Sequence, residues 1–221
     1  MTFSRSQHAG LLRCVAALAA SLVLGTSWPA HARLVTDMSG ATVEIKNSAA
    51  PIADLWFAHN EISVMLGAAP RIRITAENPA DNPWLFKIAP ILYTAHIGIK
   101  PDTASAEYLL ANRIGLVFVP TASKAEELRR SGINALAAEY MTMPDMLTSL
   151  DMSAEAIGTT EAHNTAKRYR QEMERVLELL KFRTAQLHPS ERPRVLHIAR
   201  LSPLQIAGSK TLIDAWIHAA G

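Results

Sequence analysis

A chain of 221 residues with 22 Lys and Arg against 20 Asp and Glu is nearly neutral, and its small positive excess comes from Arg5 and Arg13 in a first 32 residues that hold no acid. From Arg33 onward the charges balance at 20 against 20, which leaves no electrostatic case for a nucleic acid or an anionic membrane as partner. Cys14 is the sole cysteine, so the chain beyond it can build neither an internal disulfide nor a thiolate metal site.

Residues 1–32 read as an export signal. Positive charge precedes an apolar run from Cys14 to Gly25, and Ala30-His31-Ala32 is a small-x-small cleavage site, so processing after Ala32 into a periplasmic space is expected. The apolar run is short of the ~20 residues a membrane span needs. Cys14 stands at the start of that run and not directly behind it, which argues against lipidation.

A hairpin is expected next, from Leu34–Asp37 and Thr42–Ile45 around a turn at Gly40. Ile52–Phe57 reads as a strand, Asn60–Leu66 as a short helix stopped by Gly67, and Arg71–Thr75 as another strand. A loop rich in Asn, Asp and Pro from Asn78 to Pro83 leads into a helix over Trp84–Ile88. Helix Ala104–Asn112, apolar strand Ile114–Val119, helix Ser123–Arg130 and strand Ile133–Ala137 then alternate, the pattern of a parallel sheet covered on both faces. Met143–Leu150 is helical, and a second short helical piece runs from Ser153 to Gly158.

From Glu161 to Leu187 there is no Pro or Gly, and Ala162, Ala166, Tyr169, Met173, Val176, Leu177 and Leu180 recur at three- and four-residue steps. Thr160 is the expected cap. At ~1.5 Å per residue this helix is roughly 40 Å long, enough to bridge two lobes. Beyond it, Arg194–Ile198 reads as a strand, Ser202–Ser209 as a loop and Thr211–Ala219 as a helix, the start of a second α/β lobe that is not completed. The organisation expected is therefore residues 1–32 signal, 33–158 first lobe, 159–188 spanning helix and 189–221 the beginning of a second lobe.

Ligands of open parallel sheets sit beyond the carboxyl ends of the strands. Applied here, that rule selects His59 and Asn60, Trp84, Tyr140 and Met141, and Arg200 as ligand contacts. Aromatic faces with one cation suit a flat, anionic metal chelate. The histidines from His59 to His218 show no ligand spacing, Gly208-Ser209-Lys210-Thr211 lacks the order of a phosphate loop, and no Gly-x-Ser-x-Gly elbow occurs.

The order of signal, hairpin, compact lobe, spanning helix and new lobe resembles the periplasmic substrate-binding proteins of the iron-siderophore, haem and cobalamin class of ABC importers. Val35-Thr36-Asp37 with Gly40 and Val43 resembles that family's opening hairpin. Ala104–Leu110 followed by Ile114–Val119 resembles its Glu-bearing helix and next strand, and Ser131-Gly132-Ile133 its approach to the following one. Gly208-Ser209, Leu212-Ile213 and Ala219-Ala220-Gly221 resemble its first second-lobe helix. Asn112-Arg113 replaces the family's usual Pro-Asp, and Asn82-Pro83 stands where haem binders carry Tyr-Pro.

The resemblance implies a two-lobed α/β receptor joined by one long helix, its second lobe incomplete. It implies a monomer that is no enzyme, needs no cofactor, and hands an iron chelate, a ferric siderophore foremost, to an inner-membrane ABC permease. Glu107 matches the family's docking carboxylate on the first lobe. The other reading, from fold economy, is an exported enzyme or metal-handling protein built on a doubly wound lobe.

Overall fold

A computed structural model describes residues 32–47 and 49–221. The expected export signal, with Cys14, falls on residues 1–31 outside the described residues, save Ala32. The hairpin forms as read: β1 (Arg33–Thr36) pairs antiparallel with β2 (Thr42–Ile45), and Gly40 takes the positive φ of 85° that its turn requires.

Four parallel strands make the central sheet. They are β3 (Ile52–Asp54), β4 (Ile72–Thr75), β5 (Leu116–Val119) and β6 (Ala135–Ala137), in the spatial order β4-β3-β5-β6. The order reverses at β3, so the chain winds to both sides of it. Alternate strand residues serve opposite faces. Ile52, Ile72, Leu116, Phe118 and Leu136 join a core with the hairpin and the helices α1 (Phe57–Met65), α5 (Met143–Ile157) and α6 (Thr160–Thr184). Ala53, Ile74, Val117, Ala135 and Ala137 face the other core, with Leu109 of α3 (Ala106–Ala111) and Ala125 and Leu128 of α4 (Ala122–Arg130). The remaining first-lobe helix, α2 (Pro83–Ile88), is capped by Asn82, whose side chain accepts from the Leu85 amide.

Asp37 ties the hairpin to the sheet. Its carboxylate accepts from the Ser39 and Ala41 amides and the Ser39 hydroxyl, from Ala137 N at 3.0 Å and from Arg129 Nη1 at 2.8 Å. Burial alone would raise its pKa. The donors Ser39, Ala137, Ala41 and Arg129 together outweigh burial and hold it below the ordinary value.

Besides shifts of one or two residues at several element ends, four places differ from the sequence reading. β3 ends at Asp54, and the chain turns at once into α1, so Phe57 opens a helix where a strand end was expected. The two helical pieces between Met143 and Gly158 are one helix, because the Ser153 hydroxyl donates to the Ser149 carbonyl one turn back and makes no break. The cap of α6 is Thr159, one residue before the expected Thr160. After α6, the expected strand and loop are an antiparallel hairpin of β7 (Ile198–Leu201) and β8 (Leu204–Ile206), followed by α7 (Leu212–Ala220).

At the junction of α5 and α6, Gly158 adopts φ 69°, and two arginines close the end of α5. Arg33 donates to the Glu155 and Ala156 carbonyls at 2.9 and 3.0 Å, and Arg71 to the Ile157 carbonyl at 3.1 Å. Both cations satisfy the carbonyls that a helix C-terminus leaves bare. The guanidinium of Arg33 lies where a side chain at 158 would stand.

Candidate functional site

The carboxyl ends of β3, β4 and β6 open onto two hollows with Glu61 in the wall of both. The first, about 400 Å³, lies among α1, α5, α6 and α7, and is lined by Ala58, Glu61, Ile62, Met65, Tyr140, Met146, Leu150, Tyr169, Leu212 and Trp216. The second, about 360 Å³, is bounded by Phe57, Glu61, Ala76, Glu77, Asn78, Asp81, Asn82 and Lys100. One is apolar and aromatic, the other acidic.

Each wall has a local cause. Tyr140 follows β6 and is fixed because its hydroxyl donates to the Ala58 carbonyl at 2.6 Å and its ring lies 4.8 Å from that of Trp56. Burial, then the charge of Glu61, pushes its pKa up to about 12, so the phenol stays protonated at neutral pH. Trp216 reaches the hollow from α7 and directs Nε1 at Met143 Sδ, 2.9 Å away. Glu61, one turn into α1, accepts from Asn82 Nδ2 at 2.7 Å. Glu77 lies two residues past the end of β4 and is only 4% exposed. Burial first, then the negative charge of Glu61, raises its pKa above the ordinary value, while Asn82 and the Asn78 amide hold it down in part.

Of the residues selected from sequence, Tyr140 alone lines the apolar hollow. His59 and Asn60 are on α1 and not in a loop, and both are fully buried. His59 Nδ1 meets Asp54 Oδ2 at 2.8 Å and its Nε2 meets Ser153 Oγ at 2.8 Å, while Ser63 donates to the same Asp54 oxygen at 2.6 Å. Asn60 donates to the Trp56 carbonyl and accepts from Thr75 Oγ1. Their earlier placement at the strand ends is corrected accordingly: they bind α1 to β3, β4 and α5, and offer no atom to a ligand. The Ser153-His59-Asp54 line has the order of a nucleophile, base and orienting acid. However, all three are buried, and the Ser153 proton goes to the Ser149 carbonyl at 2.6 Å, so this is packing chemistry.

Trp84, Met141 and Arg200 line neither hollow. Trp84 is 66% exposed on α2 with Lys87 Nζ 4.6 Å over its ring, and Met141 is exposed just before α5. Arg200 was read as lying past a strand; it sits inside β7, paired with Gln205, and is exposed. Glu107 is exposed in the first turn of α3, where its own amide and the Ser105 hydroxyl lower its pKa. Glu61 and Glu77 were missed by the sequence reading. Of the two, Glu77 stands just past a strand end, whereas Glu61 lies one turn inside α1, and no carboxylate was among the ligand contacts selected from sequence.

Among the described residues no group of three or more His, Asp or Glu converges to hold a bare metal ion, and no helix is long and apolar enough to cross a membrane. No family model and no curated protein matches the sequence. The fold does match solved structures. A periplasmic solute-binding protein from Veillonella parvula DSM 2008 superposes with a TM-score of 0.63 at 18% identity, over 76% of this chain and 52% of that one. The periplasmic heme-binding protein RhuT from Roseiflexus sp. RS-1 gives 0.60 at 18%, over 78% and 64%. The iron-uptake ABC transporter substrate-binding protein PiuA from Streptococcus pneumoniae gives 0.60 at 12%, over 76% and 58%. The chain thus spans about half to two thirds of the length of these structures. Its architecture is that of part of a two-lobed periplasmic binding protein.

Proposed function

We propose that this chain is the solute-binding part of an ABC importer for an iron complex, a ferric siderophore foremost, and that it carries out no chemical step. The observation that carries the reading is the open aromatic hollow at the carboxyl edge of a doubly wound sheet, in a fold otherwise found in periplasmic solute-binding proteins. Neighbours named for heme and for iron uptake support an iron-bearing cargo. Tyr140, Tyr169 and Trp216 supply flat apolar faces for a chelate, and Met65 and Met146 supply an adaptable floor. Glu107, exposed in the first turn of α3, is the carboxylate proposed to meet the inner-membrane permease, and export to the periplasm is proposed from the signal read in residues 1–32.

Titration of the protein with ferric hydroxamates, ferric catecholates, haem and cobalamin, read by quenching of Trp56, Trp84 and Trp216, tests this. Saturable quenching by an iron complex is the expected result. Turnover of a chromogenic ester or phosphate without any such quenching would favour an enzyme instead.

A further inference from the structure

The cargo's charge can be read from the site. We propose that the two hollows joined at Glu61 form one cleft that takes a ligand with an apolar or aromatic body and net positive charge, and rejects anions of the same shape. The inference rests on the receptor reading above and corrects the sequence expectation of an anionic chelate, which leaned on Arg200.

Three carboxylates, Glu61, Glu77 and Asp81, stand on the wall of the acidic hollow against the single ammonium of Lys100. Glu77 carries the argument furthest. It is buried at 4% exposure yet lines the hollow, and a carboxylate can accept about four hydrogen bonds where Asn82 and the Asn78 amide supply two donors. Asn82 is already engaged with Glu61 Oε1 at 2.7 Å. A buried carboxylate with unfilled acceptor positions is costly unless a donor or cation arrives from outside. The aromatic half agrees, because a cation over Tyr140, Tyr169 or Trp216 gains from the ring faces, whereas an anion is repelled by them. A bare metal ion does not fit, since the carboxylates do not converge as a coordinating group. An organic cation or a positively charged metal complex does.

Two ions of nearly equal shape and opposite sign test the sign directly: tetraphenylphosphonium and tetraphenylborate, titrated against the protein by tryptophan fluorescence at low and physiological ionic strength. The phosphonium is expected to bind at least ~10-fold more tightly, with the preference shrinking as salt rises. Glu61→Gln and Glu77→Gln should each cut the preference several-fold with unchanged circular dichroism. Equal or tighter binding of the borate, binding of neither ion, or a preference untouched by both variants overturns the inference. A ferric trihydroxamate bearing a free ammonium, compared with the same chelate succinylated on that amine, separates the two readings. If neither chelate binds while the phosphonium does so through Glu61 and Glu77, the iron reading fails and the charge inference stands. If both chelates bind equally, the iron reading stands and the charge inference fails.

Discussion

At the scale of single residues, the lobe depends on a few polar groups that the apolar pattern does not reveal. Asp37, with five donors converging on it, joins hairpin, α4 and β6. Asp37→Ala would remove the acceptor of the Arg129 cation and of three amides, and is expected to cost about 3 kcal/mol in urea unfolding. Its pKa is depressed in the native state, so its contribution is present above the unfolded value of 3.8 and is lost as pH falls through the lower folded value. Glu77 has the opposite sign. Its raised pKa means that the native state holds the proton more tightly, so its stabilising contribution is full below 4.5 and is lost as pH rises through the higher folded value. Urea midpoints measured from acid to neutral pH should fall across that window in the wild type and lose this slope in Glu77→Gln. Glycines separate two causes of cost. Gly132 has φ 79° and open space around its absent side chain, so Gly132→Ala meets only backbone strain of about 1 kcal/mol. At Gly158 an added Cβ would also stand 2.0 Å from the Arg33 guanidinium carbon, and Gly158→Ala should lose clearly more stability than Gly132→Ala.

At the scale of elements, α6 is two helices in energetic terms. Ala162 and Ala166 are buried and Tyr169 and Met173 pack on the core, but from Glu174 to Thr184 its side chains are exposed or half-buried. Helix propensity, the packing of α7 against α6, with Gly221 beside Thr184, and surface pairs such as Arg175 with Glu172 hold that second half, each pair contributing only tenths of a kcal/mol. Native-state hydrogen exchange should therefore show strong protection for amides around 164–173 and weak protection around 176–184; uniform protection along the helix would contradict this division. The buried line Ser153-His59-Asp54 acts at the same scale, since it fastens α5 to α1 and β3. Ser153→Ala leaves His59 Nε2 without a partner and should cost about 1–3 kcal/mol while leaving ligand affinity intact.

At the scale of the whole molecule, the first lobe closes both of its cores, whereas the segment after α6 leaves apolar groups in solvent. Val195, Leu196, Ile198, Leu201, Leu204 and Ile206 are each 45–79% exposed. Contiguous exposure of this kind marks a surface that takes up apolar partners. The protein is expected to bind a hydrophobic dye, and Leu201→Lys with Leu204→Lys should reduce the dye signal without shifting the unfolding of the first lobe. Formal neutrality from Arg33 onward removes long-range repulsion that would oppose such contacts.

Much of the lobe was legible from sequence because its signals are local. Apolar runs bounded by Gly and Pro marked the strands, a stripe at three- and four-residue steps marked α6, and the turn at Gly40 marked the hairpin. The sequence also determined the balance of charge and the lack of cysteine beyond residue 14, which bound the chemistry before any coordinates. Boundaries moved where a side chain found a partner far along the chain: His59 and Asn60 became interior because Asp54, Thr75 and Ser153 waited for them. Only the tertiary structure decided the site. Its aromatic half brings Tyr140, Tyr169 and Trp216 from three separate segments, and its acidic half sets Glu61 against Glu77 across two strand ends. Periodicity reports which face of an element is buried, but it does not say which faces of different elements will share a hollow, because that depends on how the helices pack across the sheet.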